Sequence, residues 1–100
     1  MKLLQVIPKA GIARKLKTQL NAKERELRGR GTTLVRQKAG RWVHKSYHGW
    51  ITWDEAVGGI LVAEVQSRAP ETEWQLLRAF VGYLERHFAD SIESIVITYR

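Results

Sequence analysis

Cysteine is absent from the 100-residue chain, which excludes a disulfide framework and a thiolate zinc site. Long apolar runs are missing as well. The longest, Ala56–Ala63, carries two glycines and falls far short of the roughly 20 residues a membrane span needs. Pro8 and Lys9 follow Met1-Lys2-Leu3-Leu4 too soon to leave the apolar core of a signal peptide, so a cytoplasmic protein with no membrane partner is expected. Glycine-rich phosphate loops are lacking. Gly29-Arg30-Gly31 and Gly58-Gly59 have neither a Walker lysine nor a strand-to-helix position. No internal repeat or low-complexity tract is present. Acids are scarce in one half only. Residues 1–48 carry 13 Lys+Arg against Glu24 and Glu26, a net +11; residues 49–100 carry four Arg against eight acids, a net −4.

What is present is an ordinary globular balance, 44% hydrophobic and 27% charged. A chain of this size buries roughly 60–70% of its unfolded surface and folds as one domain, with about 5–15 kcal/mol to spare. Ile12, Leu16, Leu20 and Leu27 recur at spacings of one helical face, with Arg14, Lys17, Arg25 and Arg28 on the opposite face. Gly29 and Gly31 are stop signals, so the spacing predicts a basic helix over residues 10–28.

Thr32–Lys38, Arg41–Tyr47, Trp50–Asp54 and Gly59–Gln66 read as strands, with turn candidates at Ala39-Gly40 and His48-Gly49. Ile60–Val65 is nearly continuous in apolar residues, which predicts a central strand covered on both sides. Pro70 closes that region. Thr72-Glu73-Trp74-Gln75 has the form of a capping box opening a helix over 73–88. Its stripe runs Trp74, Leu77, Val81, Leu84, Phe88, widened by Leu76, Phe80 and Tyr83, a face broad enough to pack on a sheet. Ile92–Tyr99 reads as a last strand. A helical crossover between the last two strands makes them parallel. The predicted fold is α+β: a mixed, mainly antiparallel sheet of four to five strands, a basic N-terminal helix and one crossover helix before the last strand. Residues 1–29 form the basic helical segment, and residues 30–100 the sheet with its packing helix.

For catalysis the pattern to weigh is Glu64-Val65-Gln66 at the end of the central strand. Alternation puts Glu64 and Gln66 on one face. With these residues, Gly59–Arg100 resembles the C-terminal half of the restriction-endonuclease-like nucleases, whose PD-(D/E)xK pattern sets a carboxylate and a lysine two apart on one strand. The resemblance implies a Mg²⁺-dependent nuclease or an inactive relative, with Glu64 as metal ligand. Gln66 stands where the lysine is usual, and Thr52 stands where the family's first acid is expected. His44 and His48 are four apart, on a strand and its turn, without an acid or cysteine close by. His87 falls in a last helical turn, where the dipole favours a cation. No Ser-His-Asp pattern is readable, and no metal or cofactor site is assigned.

For binding, the first half points to nucleic acid or another polyanion. Arg14, Lys17, Arg25, Arg28, Arg36, Lys38, Arg41 and Lys45 are the candidate phosphate contacts. Trp42, Tyr47, Trp50 and Trp53 lie among them, either as core or interface residues or as stacking platforms for bases. The α-β-β-β-α order is similar to that of a double-strand RNA-binding domain, but the second helix has no lysine cluster. Self-association is the third reading: an exposed edge strand, Thr32–Lys38 or the C-terminal one, pairs across a two-fold to make a homodimer. The expectation is a small non-enzymatic binding module that self-associates. The runner-up is the nuclease-like enzyme, followed by a protein–protein interaction module.

Overall fold

The computed structural model describes residues 1–27, 34–36 and 41–99, with residues 35 and 36 given by backbone alone. In chain order the elements are β1 (Lys2–Pro8), α1 (Leu16–Leu27), β2 (Leu34–Arg36), β3 (Arg41–His44), β4 (Trp50–Glu55), β5 (Leu61–Gln66), α2 (Pro70–Phe88) and β6 (Ile92–Tyr99). Short 3₁₀ turns at Val57–Gly59 and Ala89–Ser91 precede β5 and β6. The six strands form one sheet in the order β2-β3-β4-β5-β1-β6. The α+β class, the antiparallel hairpins and the crossover helix before the last strand are as the sequence predicts.

Two features of the sheet differ from the prediction, and both come from β1. The first residues form a strand, not the lead-in to a helix, and β1 inserts between β5 and β6. Leu4 lies opposite Ala63 on one side and Ile97 on the other. Strands β5 and β6 do run in the same direction, as the crossover requires. Each pairs antiparallel with β1 instead of with the other, so every ladder is antiparallel and the sheet is not mixed. The cause is burial. Leu4 and Val6 are fully buried, and a strand with both ladder edges satisfied can sit in the middle of a core.

Alternation along β5 is regular. Leu61, Ala63 and Val65 are buried, whereas Val62, Glu64 and Gln66 are half-buried. The strand is therefore covered on one face only, contrary to its near-continuous apolar reading. Both helices lie on that face. Trp53 of β4 shows this directly: its indole Nε1 donates to Asn21 Oδ1 of α1 at 3.3 Å, and its ring stacks on Phe80 of α2 with centroids 5.6 Å apart. Among the described residues the other face of the sheet carries no helix.

Helix α1 begins at Leu16, six residues later than the periodicity suggests. Gly11 takes a positive φ of 80°, and Lys9 N–H donates to Ser91 O, which ties residues 9–11 to the loop before β6. The stripe survives, with Leu16 and Leu20 buried and Ile12 and Leu27 packed at its margins. Glu24, one turn on from Leu20, is buried with them. Burial, with Glu24 and Glu26 nearby, pushes the Tyr83 hydroxyl up to about 12.

Helix α2 opens at Pro70, and no capping box forms. Ala69 is the cap without a side-chain bond, and Thr72 Oγ1 donates back to Ala69 O at 3.3 Å. Proline suits the first helical position because its missing N–H would be unpaired there. The buried face is Leu76, Leu77, Phe80, Tyr83, Leu84 and Phe88 together with Glu73. Trp74 is not part of it. Instead it is exposed and meets Tyr99 of β6, with centroids 6.3 Å apart. Glu73 closes the front of the helix, accepting from Lys2 Nζ at 2.9 Å and lying 3.1 Å from the α-ammonium of Met1. No described helix is long and apolar enough to cross a membrane.

Candidate nucleic-acid interface

The fold divides the predicted phosphate contacts into two groups. The first is on and before α1. Arg14 and Arg25 are exposed. Lys17 Nζ is 2.8 Å from Asp54 Oδ1, and Lys15 Nζ is 3.5 Å from Glu55 Oε2, both acids at the end of β4. Hydrogen bonds from Lys17 and from the Glu55 N–H hold the Asp54 carboxyl below its ordinary value. Lys23 faces Glu26 at 3.4 Å. The basic back of this helix is thus partly matched by acids of the second half. Such exposed pairs are weak and screened by salt, so Lys17 can exchange Asp54 for another anion. Arg28 lies outside the described residues.

The second group is on the β3–β4 hairpin. Arg41 is exposed, and its guanidinium carbon sits 4.5 Å from the centroid of the Trp50 ring. The register explains the pairing. Arg41 is opposite Thr52, so Trp50 is its diagonal neighbour on the same face, within reach of a long side chain. Lys45 is exposed in the loop that follows β3. Arg36 is described by backbone alone, in the edge strand β2, and Lys38 lies outside the described residues.

The aromatic cluster is split the same way. Trp42 and Trp53 stack with centroids 3.5 Å apart and are 4% and 7% exposed, so they belong to the core and cannot hold a base. Tyr47 is half-buried beside His44, ring to ring at 4.7 Å. Trp50 alone of the four points to the uncovered face. Alternation predicts this division: Ile51 and Trp53 of β4 face the helices, so Trp50 and Thr52 face away.

Glu64 and Gln66 do share a face, as expected, and it is the same uncovered one. Gln66 Nε2 donates to Glu64 Oε2 at 3.4 Å. Across the ladders Glu64 meets Thr52 and Leu3, and Gln66 meets Trp50. Among the described residues no three His, Asp or Glu side chains gather closely enough to hold a metal ion. His44 Nδ1 accepts from the Ser46 N–H at 3.0 Å, and burial lowers its pKa. For His87, burial, then Lys23 and Arg86, outweighs Glu26 and also lowers the pKa, so the neutral ring is favoured despite its place in a last helical turn.

One feature had no sequence signal beyond a glycine. Next to Trp50, a cavity of about 380 Å³ is lined by His48, Gly49, Trp50, Ser67, Arg68, Ala69 and Thr72. It exists because the His48-Gly49 turn folds hard against the end of β5. Gly49 has φ 118°, and a Cβ there would lie 2.2 Å from Gln66 O. This brings Arg68, 18 residues further along the chain, to the rim of the Trp50 patch. Comparison with protein-family models, curated proteins and solved structures returns no match.

Proposed function

We propose that the chain is a small non-enzymatic binding module whose ligand is a polyanion, with single-stranded nucleic acid the best fit. The observation that carries this is the Arg41–Trp50 pair on a sheet face that no described helix covers. A half-exposed indole offers a π-face to any base, worth roughly 1–3 kcal/mol per base, and cations beside it track the backbone. Arg41, Lys45 and Arg68 supply those cations at this end of the sheet. Glu64 bounds the path on the β1 side, which keeps a phosphate chain near the hairpin. The cations on and before α1, namely exposed Arg14 and Arg25 and half-buried Lys17 once released from Asp54, form a second and weaker contact region.

The test is fluorescence anisotropy of a labelled single-stranded oligonucleotide, and of the same sequence as duplex, across a salt series without divalent metal. Engagement of about six phosphates gives a log–log slope near −4 on single strands and near −5 on duplex. Trp50→Ala is expected to weaken single-strand binding more than duplex binding. Arg41→Gln is expected to weaken both and to flatten the slope. Absence of binding at low salt, or binding indifferent to both substitutions, refutes the reading. Mg²⁺-dependent cleavage that disappears in Glu64→Gln would replace it with the nuclease reading.

A further inference from the structure

We propose that two copies of the chain pair through β6, antiparallel, about a two-fold axis at Val96, joining their sheets into one. The proposal stands independently of the ligand. Strand β6 has eight residues and, among the described residues, pairs with β1 on one side only. An edge of that length is a template for another strand, and proteins ordinarily blunt it with lysine, proline or shortness. From Ser94 to Tyr99 there is no charge and no proline. The irregularity in its ladder with β1 is confined to the start of the strand, where Pro8 lies opposite Ile92.

Exposed apolar side chains flank this edge on both faces. The described residues include four large exposed hydrophobics, and three of them are Trp74, Val96 and Tyr99. Tyr99 touches Trp74 on the helix-covered face, whereas Val96, opposite Gln5, is on the uncovered one. The fourth, Val57, is at the tip of the β4–β5 turn.

The sequence of β6 is matched to itself. In an antiparallel pair opposite residues share a face, so a two-fold perpendicular to the sheet must pass midway between one residue and its own copy. Centred on Val96, it sets Ser94 opposite Thr98 on the uncovered face and Ile95 opposite Ile97 on the helix-covered face. Over Ser94–Thr98 polar meets polar and apolar meets apolar; one step outward Glu93 falls opposite Tyr99. Ile95 and Ile97 are only half-buried in one copy, at the margin of the core, and a second strand completes their cover. The occupant is therefore a second copy of this chain.

Sedimentation of the unaltered protein is expected to show a dimer, and Val96→Lys and Val96→Glu are each expected to be monomeric. Both variants place like charges against each other on the axis. Mixed in equal amounts they should form a heterodimer, an outcome that a merely unfolded variant cannot give. Since the chain has no cysteine, Val96→Cys provides a second readout. Opposite residues have Cα atoms about 4.5–5.5 Å apart, within disulfide reach. Oxidised glutathione, which takes up the two electrons, should cross-link Val96→Cys rapidly and Val57→Cys slowly. A monomeric unaltered protein, a dimer that persists in Val96→Lys, failure of the mixture to dimerise, or equal cross-linking of the two cysteine variants overturns the proposal.

Discussion

Replacing Gly49 by alanine separates backbone strain from steric conflict when it is set beside the same change at Gly58. Both glycines have positive φ, 118° and 78°. A side chain in that region costs about 1–3 kcal/mol at either site. Around Gly58 nothing lies within 4 Å of the added carbon, so Gly58→Ala carries that cost alone. At Gly49 the new Cβ would stand 2.2 Å from Gln66 O, 3.0 Å from Ser67 Cβ and 3.1 Å from Leu76 Cδ2. The first of these is backbone in a paired strand and cannot swing aside. Overpacking of this kind adds about 1–3 kcal/mol, so Gly49→Ala is expected to cost about 2–6 kcal/mol in all. Against a total of about 5–15 kcal/mol that is a large fraction. Urea unfolding followed by tryptophan fluorescence reads it: with a slope near 1–3 kcal/mol per M, the Gly49→Ala midpoint should fall by about 1–3 M. Gly82→Ala is the opposite control. It lies within α2 with no atom near its Cβ position, and should raise stability by about 0.5–1 kcal/mol. Equal midpoints for Gly49→Ala and Gly58→Ala would refute the close approach of the His48-Gly49 turn to β5.

The buried Glu73 predicts a particular acid response. Burial raises its pKa, but hydrogen bonds from Lys2 and the Met1 ammonium win, and the net value lies below the ordinary 4.5. A carboxylate whose folded pKa is depressed stabilises the fold above its unfolded pKa, and that contribution is lost as pH falls through the folded value. Urea midpoints of the unaltered protein should therefore drop below about pH 4.5. Glu73→Gln should show a shallower acid limb, and an identical limb would deny the pairing. Phe80, fully buried against Trp53, should cost about 3–5 kcal/mol when cut to alanine, measured in the same assay. A loss under about 1 kcal/mol would mean that the Trp42–Trp53–Phe80 stack is not the centre of the core.

The sequence by itself determined whatever depends on near neighbours. The stripe from Leu76 to Phe88 can bury itself only as a helix, and the short turn-bounded runs Trp50–Asp54 and Gly59–Gln66 suit strands, so both were legible; that β5 is covered on one face only was not. The sequence offers Thr32–Lys38 or the C-terminal strand as an exposed edge, and the described sheet ends in β2 (Leu34–Arg36) on one side and β6 on the other. It also put Arg41 and Trp50 in one short segment and Glu64 and Gln66 on one face. Tertiary structure decided what depends on partners far along the chain. Lys2-Leu3-Leu4-Gln5-Val6-Ile7 has no turn or period that marks it as a central strand. It becomes one by meeting Val65–Leu61 and Tyr99–Ser94, and that single insertion turns a mixed sheet into an antiparallel one. Which tryptophans were core was equally hidden, since alternation sets Trp50 and Trp53 on opposite faces without saying which face the helices cover. Only packing under Phe80 buries Trp42 and Trp53 and leaves Trp50 on the open face. The pairing of Lys17 with Asp54 and of Lys2 with Glu73 joins residues 37 and 71 positions apart. Charge counting shows that the two halves are complementary, but only the fold shows which charges are spent on each other and which remain for a partner.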